Sequence, residues 1–154
     1  MEDRVYKVYR IKNGTVIDHI PQGKGHLVMK ILKLHKEPSD NFIALGVNLK
    51  SKKGEFKDLV KIEDKELSEQ EINKITLIAP KATMNIIRNG KITKKYKVKL
   101  PKNITGIMKC SNPNCVINNE HDVSTKFIMI QEHPLRVRCR YCERVMESKD
   151  IYVL

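Results

Sequence analysis

The stretch Cys110-Ser-Asn-Pro-Asn-Cys115, separated by 23 residues from Cys139-Arg-Tyr-Cys142, decides the fold of the C-terminal part of this chain. Cysteine pairs with two to four intervening residues are typical of zinc ribbons and knuckles, because a tight turn lets both thiolates face one ion at about 2.3 Å. Four sulfur ligands fill the tetrahedron and leave no position for water or substrate. The pattern therefore predicts one structural zinc ion bound by Cys110, Cys115, Cys139 and Cys142.

The same four cysteines leave several alternatives open. They could form two disulfides, remain four unrelated buried thiols, bind iron, or share the ion with His121 or His133. The sequence has no N-terminal hydrophobic region and no apolar stretch near the ~18 residues of a membrane span. We therefore expect a cytoplasmic protein without membrane contact, whose cysteines stay reduced, which favours a metal over disulfides.

A metal also suits the size of the cysteine-containing domain, which we place at residues 101–154. A hydrophobic core becomes marginal near this length, and binding of a structural zinc contributes on the order of 10–16 kcal/mol. Strand-like segments at Lys126–Ile130, Leu135–Arg138 and Ile151–Leu154 predict that this domain is small and all-β.

Residues 1–100 alternate strand-like and helix-like patterns. Ser68-Glu-Gln-Glu71 has the form of a capping box and predicts a helix that Pro80 ends. A second amphipathic helix is predicted over Lys24–Lys36, where apolar residues recur at spacings of three and four. The predicted strands are Val5–Ile11, Thr15–Ile20, Phe42–Leu49, Phe56–Ile62, Thr83–Arg88 and Lys91–Leu100.

This order of elements is β, α, β, β, α, β with an extra strand. It predicts an α+β, ferredoxin-like domain in which both helices cover one face of an antiparallel sheet and leave the other face open. We place this domain at residues 1–100, before the zinc domain.

Polar residues interrupt several of these strands. Asp18 and His19 lie in an apolar run and would point to opposite faces of a regular strand, while Lys57 and Lys61 share one face. Asp18 suits sugar hydroxyls and His19 suits a phosphate, but each could be an ordinary half-exposed strand residue. The lysines of residues 91–99 could attract phosphates or could protect an edge strand from aggregation.

The net charge of +12 raises the alternative of a nucleic-acid-binding zinc protein. Lys and Arg outnumber Asp and Glu by 22 to 12 in residues 1–100 but only by 8 to 6 in residues 101–154, so the predicted zinc domain is nearly neutral. A lysine-rich composition is also a general habit of hyperthermophile proteins. The sequence has no Gly-rich phosphate loop, nucleophile elbow or paired catalytic carboxylates, and it therefore predicts a binding protein that is not an enzyme.

Four ordered motifs resemble the regulatory chain of aspartate carbamoyltransferase. They are Gly14-Thr-Val-Ile-Asp-His-Ile-Pro21, Lys57-Asp-Leu-Val-Lys-Ile-Glu63, Ala79-Pro-Lys-Ala-Thr-Met-Asn85, and the cysteine pairs with Asn112-Pro-Asn114 and Tyr141-Cys-Glu143. The resemblance implies a non-catalytic subunit of pyrimidine biosynthesis. Such a subunit binds ATP or CTP in its first domain, forms a homodimer, and contacts catalytic chains through its zinc domain.

The resemblance also assigns roles by position. It implies that Ile11 and Val16 line a base pocket, that Asp18 and Lys61 meet the ribose, and that His19, Lys57 and Lys95 meet the phosphates. The residues that complete this implied pocket are Asn85, Ile87, Gly90 and Ile92. The residues implied to face the catalytic chain are Asn112, Asn114, Glu143 and Arg144.

Overall fold

A computed structural model describes residues 10–34 and 40–154 of the chain. The chain divides into two compact units, one formed by Met1–Leu67 with Lys81–Lys97 and the other by Ser68–Pro80 with Val98–Leu154. In the described part of the first unit the elements are β1 (Gly14–Pro21), α1 (Gly25–Ile31), β2 (Ile43–Lys50), β3 (Phe56–Glu63), β4 (Thr83–Arg88) and β5 (Lys91–Lys97).

The strands of the first unit form an antiparallel sheet in the order β2-β3-β1-β4-β5. Strand β3 lies between β1 and β2, which splits the β1-α1-β2 unit as in a ferredoxin-like domain. Strand β5 adds an edge and joins β4 through Asn89-Gly90, where both residues have positive φ, as a tight hairpin turn requires. The predicted antiparallel sheet with its extra strand is confirmed.

Alternation along the central strands gives this sheet one buried face. Ile17, Val60, Ile62 and Met84 are at most 1% exposed and all point to this side. Helix α1 packs against β2 and β3. The intervening residues of β1, β3 and β4 point to the other face, which carries the groove described below.

Strand β1 is not regularly pleated. One extra residue lies between Ile17 and Ile20 relative to β3, and His19 has a φ of 57°. Asp18 lines the open face like Val16, as alternation predicts, but the predicted regular alternation ends at His19, because the bulge returns Ile20 to the buried face. A similar bulge interrupts β2 between Gly46 and Leu49, where Asn48 has a φ of 59°.

The described part of the second unit contains two helices of the α type and several short strands. Helix α2 (Glu69–Ile78) begins at Ser68, whose hydroxyl accepts from the Glu71 N–H while the Glu71 carboxylate accepts from the Ser68 N–H, so the predicted capping box is confirmed. The remaining elements are β6 (Asn103–Thr105), β7 (Met108–Lys109), α3 (Val116–Asn119), β8 (Lys126–Gln131), β9 (Arg136–Cys139), β10 (Val145–Glu147), a 3-10 turn (Ser148–Asp150) and β11 (Tyr152–Val153).

Strands β10, β9, β8 and β6 form an antiparallel sheet, and β11 pairs with β7. Their apolar side chains build one core around the fully buried Phe127, with Leu77 of α2 in the same core. Three of the cysteines, Cys110, Cys115 and Cys139, also belong to it.

Several boundaries differ from the sequence-based expectation. Helix α1 ends at Ile31, earlier than the predicted end at Lys36. Lys36 lies outside the described residues, and so do residues Val5–Tyr9 of the first predicted strand. Strand β5 ends at Lys97, and the buried Val98 and Leu100 belong to the second unit. The domain boundary at residue 100 and the packing of α2 on the first sheet stay predictions. Among the described residues no helix is long and apolar enough to cross a membrane.

Candidate functional site

A groove of about 260 Å³ runs across the open face of the first sheet. The strand register explains its position, because Lys61 of β3 lies opposite Val16 of β1, Val16 lies opposite Asn85 of β4, and Asn85 lies opposite Lys95 of β5. These four residues form one row across the strands, and residues two positions away on each strand form parallel rows. The groove therefore collects residues from four strands on one face.

One end of the groove is apolar. Ile11, Val16 and Ile87 are less than 10% exposed and pack together, with Leu59 against them. Ile92 also lines the groove but is 58% exposed. The side of this end beside the β4–β5 turn is open, because Gly90 has no side chain and a Cβ built there would meet nothing within 4 Å. A flat apolar group fits against such a wall.

The groove also carries basic side chains. Arg10, Lys61 and Lys95 all line it. Partial burial, together with the positive charge of Arg10, lowers the pKa of Lys61 from its usual 10.5, and the carboxylate of Asp18 opposes this shift. An anionic ligand would relieve the repulsion between these cations, since an opposite charge stabilises the protonated lysine.

The other end of the groove is built by the bulge of β1. The Asp18 carboxylate accepts from the His19 N–H at 2.7 Å and pairs with the Lys57 ammonium at 2.7 Å. The His19 ring lies 3.1 Å from the Thr83 hydroxyl through Nδ1 and is about half exposed. A cation, an imidazole and a carboxylate thus lie together two residues along β1 from Val16 of the apolar wall.

The structure brings most of the predicted nucleotide residues into this one groove. Those that line it are Ile11, Val16, Asp18, Lys61, Asn85, Ile87, Gly90, Ile92 and Lys95. Lys57 and His19 do not line it but contact Asp18, which does. Whether these residues bind a nucleotide stays a prediction.

Sequence reasoning missed two lining residues, Arg10 and Leu59. Leu59 lies midway between Lys57 and Lys61 on the same face of β3, so the period of the strand could have identified it. Arg10 and Ile11 end the predicted strand Val5–Ile11 but lie outside any strand of the structure, so the period of a strand does not give the direction of the Arg10 side chain.

The second candidate site is the cysteine cluster. The four Sγ atoms all lie within 4.8 Å of one another, and this is the cluster of possible metal ligands found among residues 10–34 and 40–154. The Sγ atoms of Cys110 and Cys142 are 3.6 Å apart, and those of Cys115 and Cys139 are 3.7 Å apart. A tetrahedron with metal–sulfur bonds of 2.3 Å has edges of about 3.8 Å, so the cluster has the dimensions of a four-thiolate site.

These distances decide between the open alternatives. Disulfide bonds are excluded, because they would require sulfurs about 2.05 Å apart, and all four cysteines are free. Four unrelated thiols would not converge on one point. Neither His121 nor His133 belongs to the cluster. The residues present therefore fit a metal ion held by sulfur alone.

The turns of the two cysteine pairs supply N–H groups to the sulfurs. The Asn112 N–H donates to Cys110 Sγ at 3.5 Å, and the Tyr141 N–H donates to Cys139 Sγ at 3.4 Å. Burial raises the pKa of the Cys110 thiol to about 12 in the absence of metal. Burial acts in the same direction on Cys142, but the N–H of Arg144 and neighbouring donors outweigh it and lower its pKa to about 7. Metal binding must therefore release protons.

The predicted interface residues surround this cluster. Asn114, Glu143 and Arg144 are exposed, and Asn112 is half-buried. Asn112 Oδ1 accepts from the Asn114 N–H at 3.0 Å, and the Arg144 guanidinium donates to the Ser111 carbonyl at 3.3 Å. The loops that hold the sulfurs thus also fix the direction of these side chains.

Comparison with known proteins gives matches along nearly the whole chain. Residues 6–99 match the model of the aspartate carbamoyltransferase regulatory chain, allosteric domain, and residues 102–152 match that of its metal binding domain. The chain is 56% identical to the aspartate carbamoyltransferase regulatory chain of Pyrococcus horikoshii over 94% of this chain and 95% of that protein. The regulatory chain of Thermoplasma volcanium is 43% identical over 99% of both chains, and that of Methanococcus maripaludis is 49% identical over 94% and 95%.

Proposed function

Because the chain belongs to the family of aspartate carbamoyltransferase regulatory chains, we propose that it binds ATP or CTP in the groove of its first unit and passes the signal to catalytic chains through its metal domain. Family membership establishes a non-catalytic regulatory subunit with an allosteric domain and a metal-binding domain, whose partners are catalytic chains. The effector, its binding residues, the identity of the metal and the route of the signal are the proposal.

The observation that carries the nucleotide assignment is that one groove combines an apolar wall with several cations and a carboxylate. A base would pack against Ile11, Val16 and Ile87, and a ribose would lie beside Asp18 and Lys61. The phosphates would then reach Lys57, His19 and Lys95. A nucleoside triphosphate has the matching parts, namely a flat apolar ring, a polar sugar and an anionic tail.

Regulation follows from this binding only through a difference in affinity. A nucleotide shifts the assembly between two quaternary states only as far as it binds one of them more tightly. The regulatory chain therefore needs a firm connection to the catalytic chain. We assign that connection to Asn112, Asn114, Glu143 and Arg144, which stand on the loops that hold the cysteines.

We assign zinc as the metal. A closed site of four thiolates within 4.8 Å of one another suits zinc, which has no geometric preference of its own and is the usual occupant of structural four-cysteine sites. Zinc holds the two turns together and thereby fixes the surface around them.

We also assign a homodimer, formed through strand β2. This strand is an outer strand of the sheet and carries the exposed apolar side chains Leu45 and Val47, with Phe56 exposed at the start of β3. An uncovered apolar edge of this kind invites pairing with another chain, and a second copy related by a twofold axis would cover it.

Calorimetric titration of the purified chain with CTP and with ATP tests the nucleotide assignment. We expect binding by the unaltered chain and a loss of about tenfold or more in affinity for Lys61→Ala and for Lys95→Ala, since a hydrogen bond to a charged group contributes roughly 1.5–3 kcal/mol. Lys91→Ala is the matched control, because Lys91 lies on the same strand as Lys95 but does not line the groove. Equal affinities for all four proteins would contradict the assignment.

A further inference from the structure

Asp58 is a buried carboxylate that the proposed site does not use. It lies on β3 between Lys57 and Leu59 and is 1% exposed. Its side chain points to the buried face of the sheet, like Val60 two residues later, and therefore away from the groove. A charged side chain is rarely so buried unless other groups satisfy it.

Three backbone N–H groups satisfy this carboxylate. Oδ2 accepts from the N–H of Gly23 at 3.0 Å and from the N–H of Gly25 at 2.9 Å, and Oδ1 accepts from the N–H of Asn48 at 3.1 Å. Gly23 belongs to the turn after β1, Gly25 is the first residue of α1, and Asn48 belongs to the bulge of β2. One side chain of the central β3 strand thus holds both neighbouring strands.

Both bonded segments border a bulge. Asp58 lies opposite Ile20, the first residue of β1 whose pairing resumes after the bulge at Asp18 and His19. On its other side β3 faces the extra residue between Gly46 and Leu49 of β2. The three bonds of Asp58 therefore hold the backbone beside each of the two bulges.

The position of the β1 bulge matters for the groove. At the bulge His19 has a φ of 57°, and the Asp18 carboxylate beside it pairs with the Lys57 ammonium at 2.7 Å. Lys57 and Asp58 are neighbours in sequence and point to opposite faces of the sheet. The Asp58 carboxylate therefore binds the backbone on the buried face, next to the residue whose side chain points to the groove.

We propose that Asp58 is a positioning residue, which fixes the β1 bulge and the backbone of β3 so that Lys57 and His19 meet the phosphates of the bound nucleotide. This inference rests on the proposed function of the groove. The inference adds that recognition of the phosphates depends on the Asp58 carboxylate, which lies on the buried face of the sheet and does not contact the ligand.

Asp58→Asn is the substitution that tests this role. An amide has nearly the same shape, but its NH₂ group can only donate, so in either orientation it faces at least one backbone N–H. The three bonds therefore cannot all persist. The ligands are CTP and cytidine, which share base and ribose and differ in the triphosphate, with affinities measured by NMR titration of the full chain.

We expect Asp58→Asn to weaken CTP binding about tenfold and to change cytidine binding by less than about twofold. A purely structural role would weaken both ligands alike or neither, and either result would overturn the inference. A chain that binds no CTP before any substitution would instead refute the proposed function itself. Asp150→Asn is the matched control, because that carboxylate accepts a backbone N–H at 3.1 Å in the second unit.

A double-mutant cycle with Lys57→Ala identifies the residue through which Asp58 acts. If Asp58 works by placing Lys57, then Asp58→Asn causes little further loss of CTP affinity once Lys57→Ala is present. Fully additive losses would overturn this route.

Gly25→Ala provides a second variant if Asp58→Asn does not fold, as judged by circular dichroism. A Cβ at Gly25 would lie 3.0 Å from Asp58 Oδ2 and 2.7 Å from Leu45 Cδ1, so it displaces the same carboxylate without removing it. We expect Gly25→Ala to weaken CTP binding and to change cytidine binding little. An equal effect on the affinities for both ligands would count against the inference.

Discussion

Lys61 lies on the open face of the sheet, where burial and the nearby Arg10 lower its pKa and Asp18 raises it. The charged form is therefore less favoured in the folded chain than in the unfolded chain. Between the lowered pKa and the usual 10.5 the unfolded chain binds more protons, so this lysine opposes folding at lower pH and the penalty disappears as pH rises. A lysine that opposes folding in this way is consistent with a role in binding an anion.

The same shift predicts the pH dependence of nucleotide binding. A bound triphosphate raises the pKa of Lys61, so binding takes up a proton wherever the free lysine is partly neutral. We expect the affinity for CTP to fall as pH rises towards the usual lysine pKa of 10.5, because Lys61 loses its proton below that value. Calorimetry in buffers of different ionisation enthalpy measures the proton uptake directly.

Lys61→Met is the control for this pH dependence. The variant should bind CTP more weakly, and its residual affinity should not change with pH in the same range. It should also melt at a higher temperature near neutral pH, because it no longer buries a charge. An unaltered chain whose affinity stays constant as pH rises towards 10.5 would contradict the prediction.

Strand β2 is the element whose role depends most on a partner. One side of this strand is hydrogen-bonded to β3, and its other side is the edge of the sheet. Strand β5 is the other edge and carries lysines, a common protection against unwanted pairing, whereas β2 exposes Leu45 and Val47. The two edges are therefore chemically different, and the apolar one is where we place the homodimer.

We predict that Val47→Lys converts the dimer to a monomer, because a charge on an edge strand opposes pairing with a second copy. Size-exclusion chromatography with light scattering measures the mass in solution. Lys97→Glu, on the opposite edge, should leave the mass unchanged. A dimer that persists with Val47→Lys would place the interface elsewhere.

In the intact molecule the metal centre is part of the core of the second unit. Cys110, Cys115 and Cys139 are buried in the same cluster as Phe127 and Leu77, the latter from helix α2. Loss of the ion would leave four thiols within 4.8 Å of one another with no common partner. The structure therefore connects the metal both to the surface around the cysteines and to a helix more than thirty residues earlier in the chain.

We predict that chelation unfolds the second unit, including α2, and releases the chain from its catalytic partner. Binding of a structural zinc contributes on the order of 10–16 kcal/mol, more than a domain of this size can replace. Hydrogen exchange should then show lost protection over residues 68–80 and 98–154, while the first unit keeps its protection and still binds CTP. Elemental analysis of the released metal identifies it as zinc or iron.

Restoring zinc provides the control, since it should return both the protection and the complex. A complex that survives complete removal of the metal would refute the structural role of zinc at the interface. Loss of protection across the first unit as well would show that the two units do not unfold separately.

Local sequence patterns predicted many of the structural elements and the metal ligands of this protein. The spacing of the four cysteines, the capping box at Ser68 and the Asn89-Gly90 turn each depend on residues close together in sequence, and all three formed as expected. Period-two alternation identified the strands for the same reason. The match to the regulatory-chain family extends this local information along the whole chain.

Long-range pairing determined the rest. The sequence contains no sign of the bulges at His19 and Asn48, because a bulge depends on the register against β3. The grouping of α2 with the second unit depends on the packing of Leu77, and the role of Asp58 depends on N–H groups 10 to 35 residues away. Local sequence determined which elements form and which metal ligands converge, whereas hydrogen bonds and burial between distant segments determined where the side chains of those elements point.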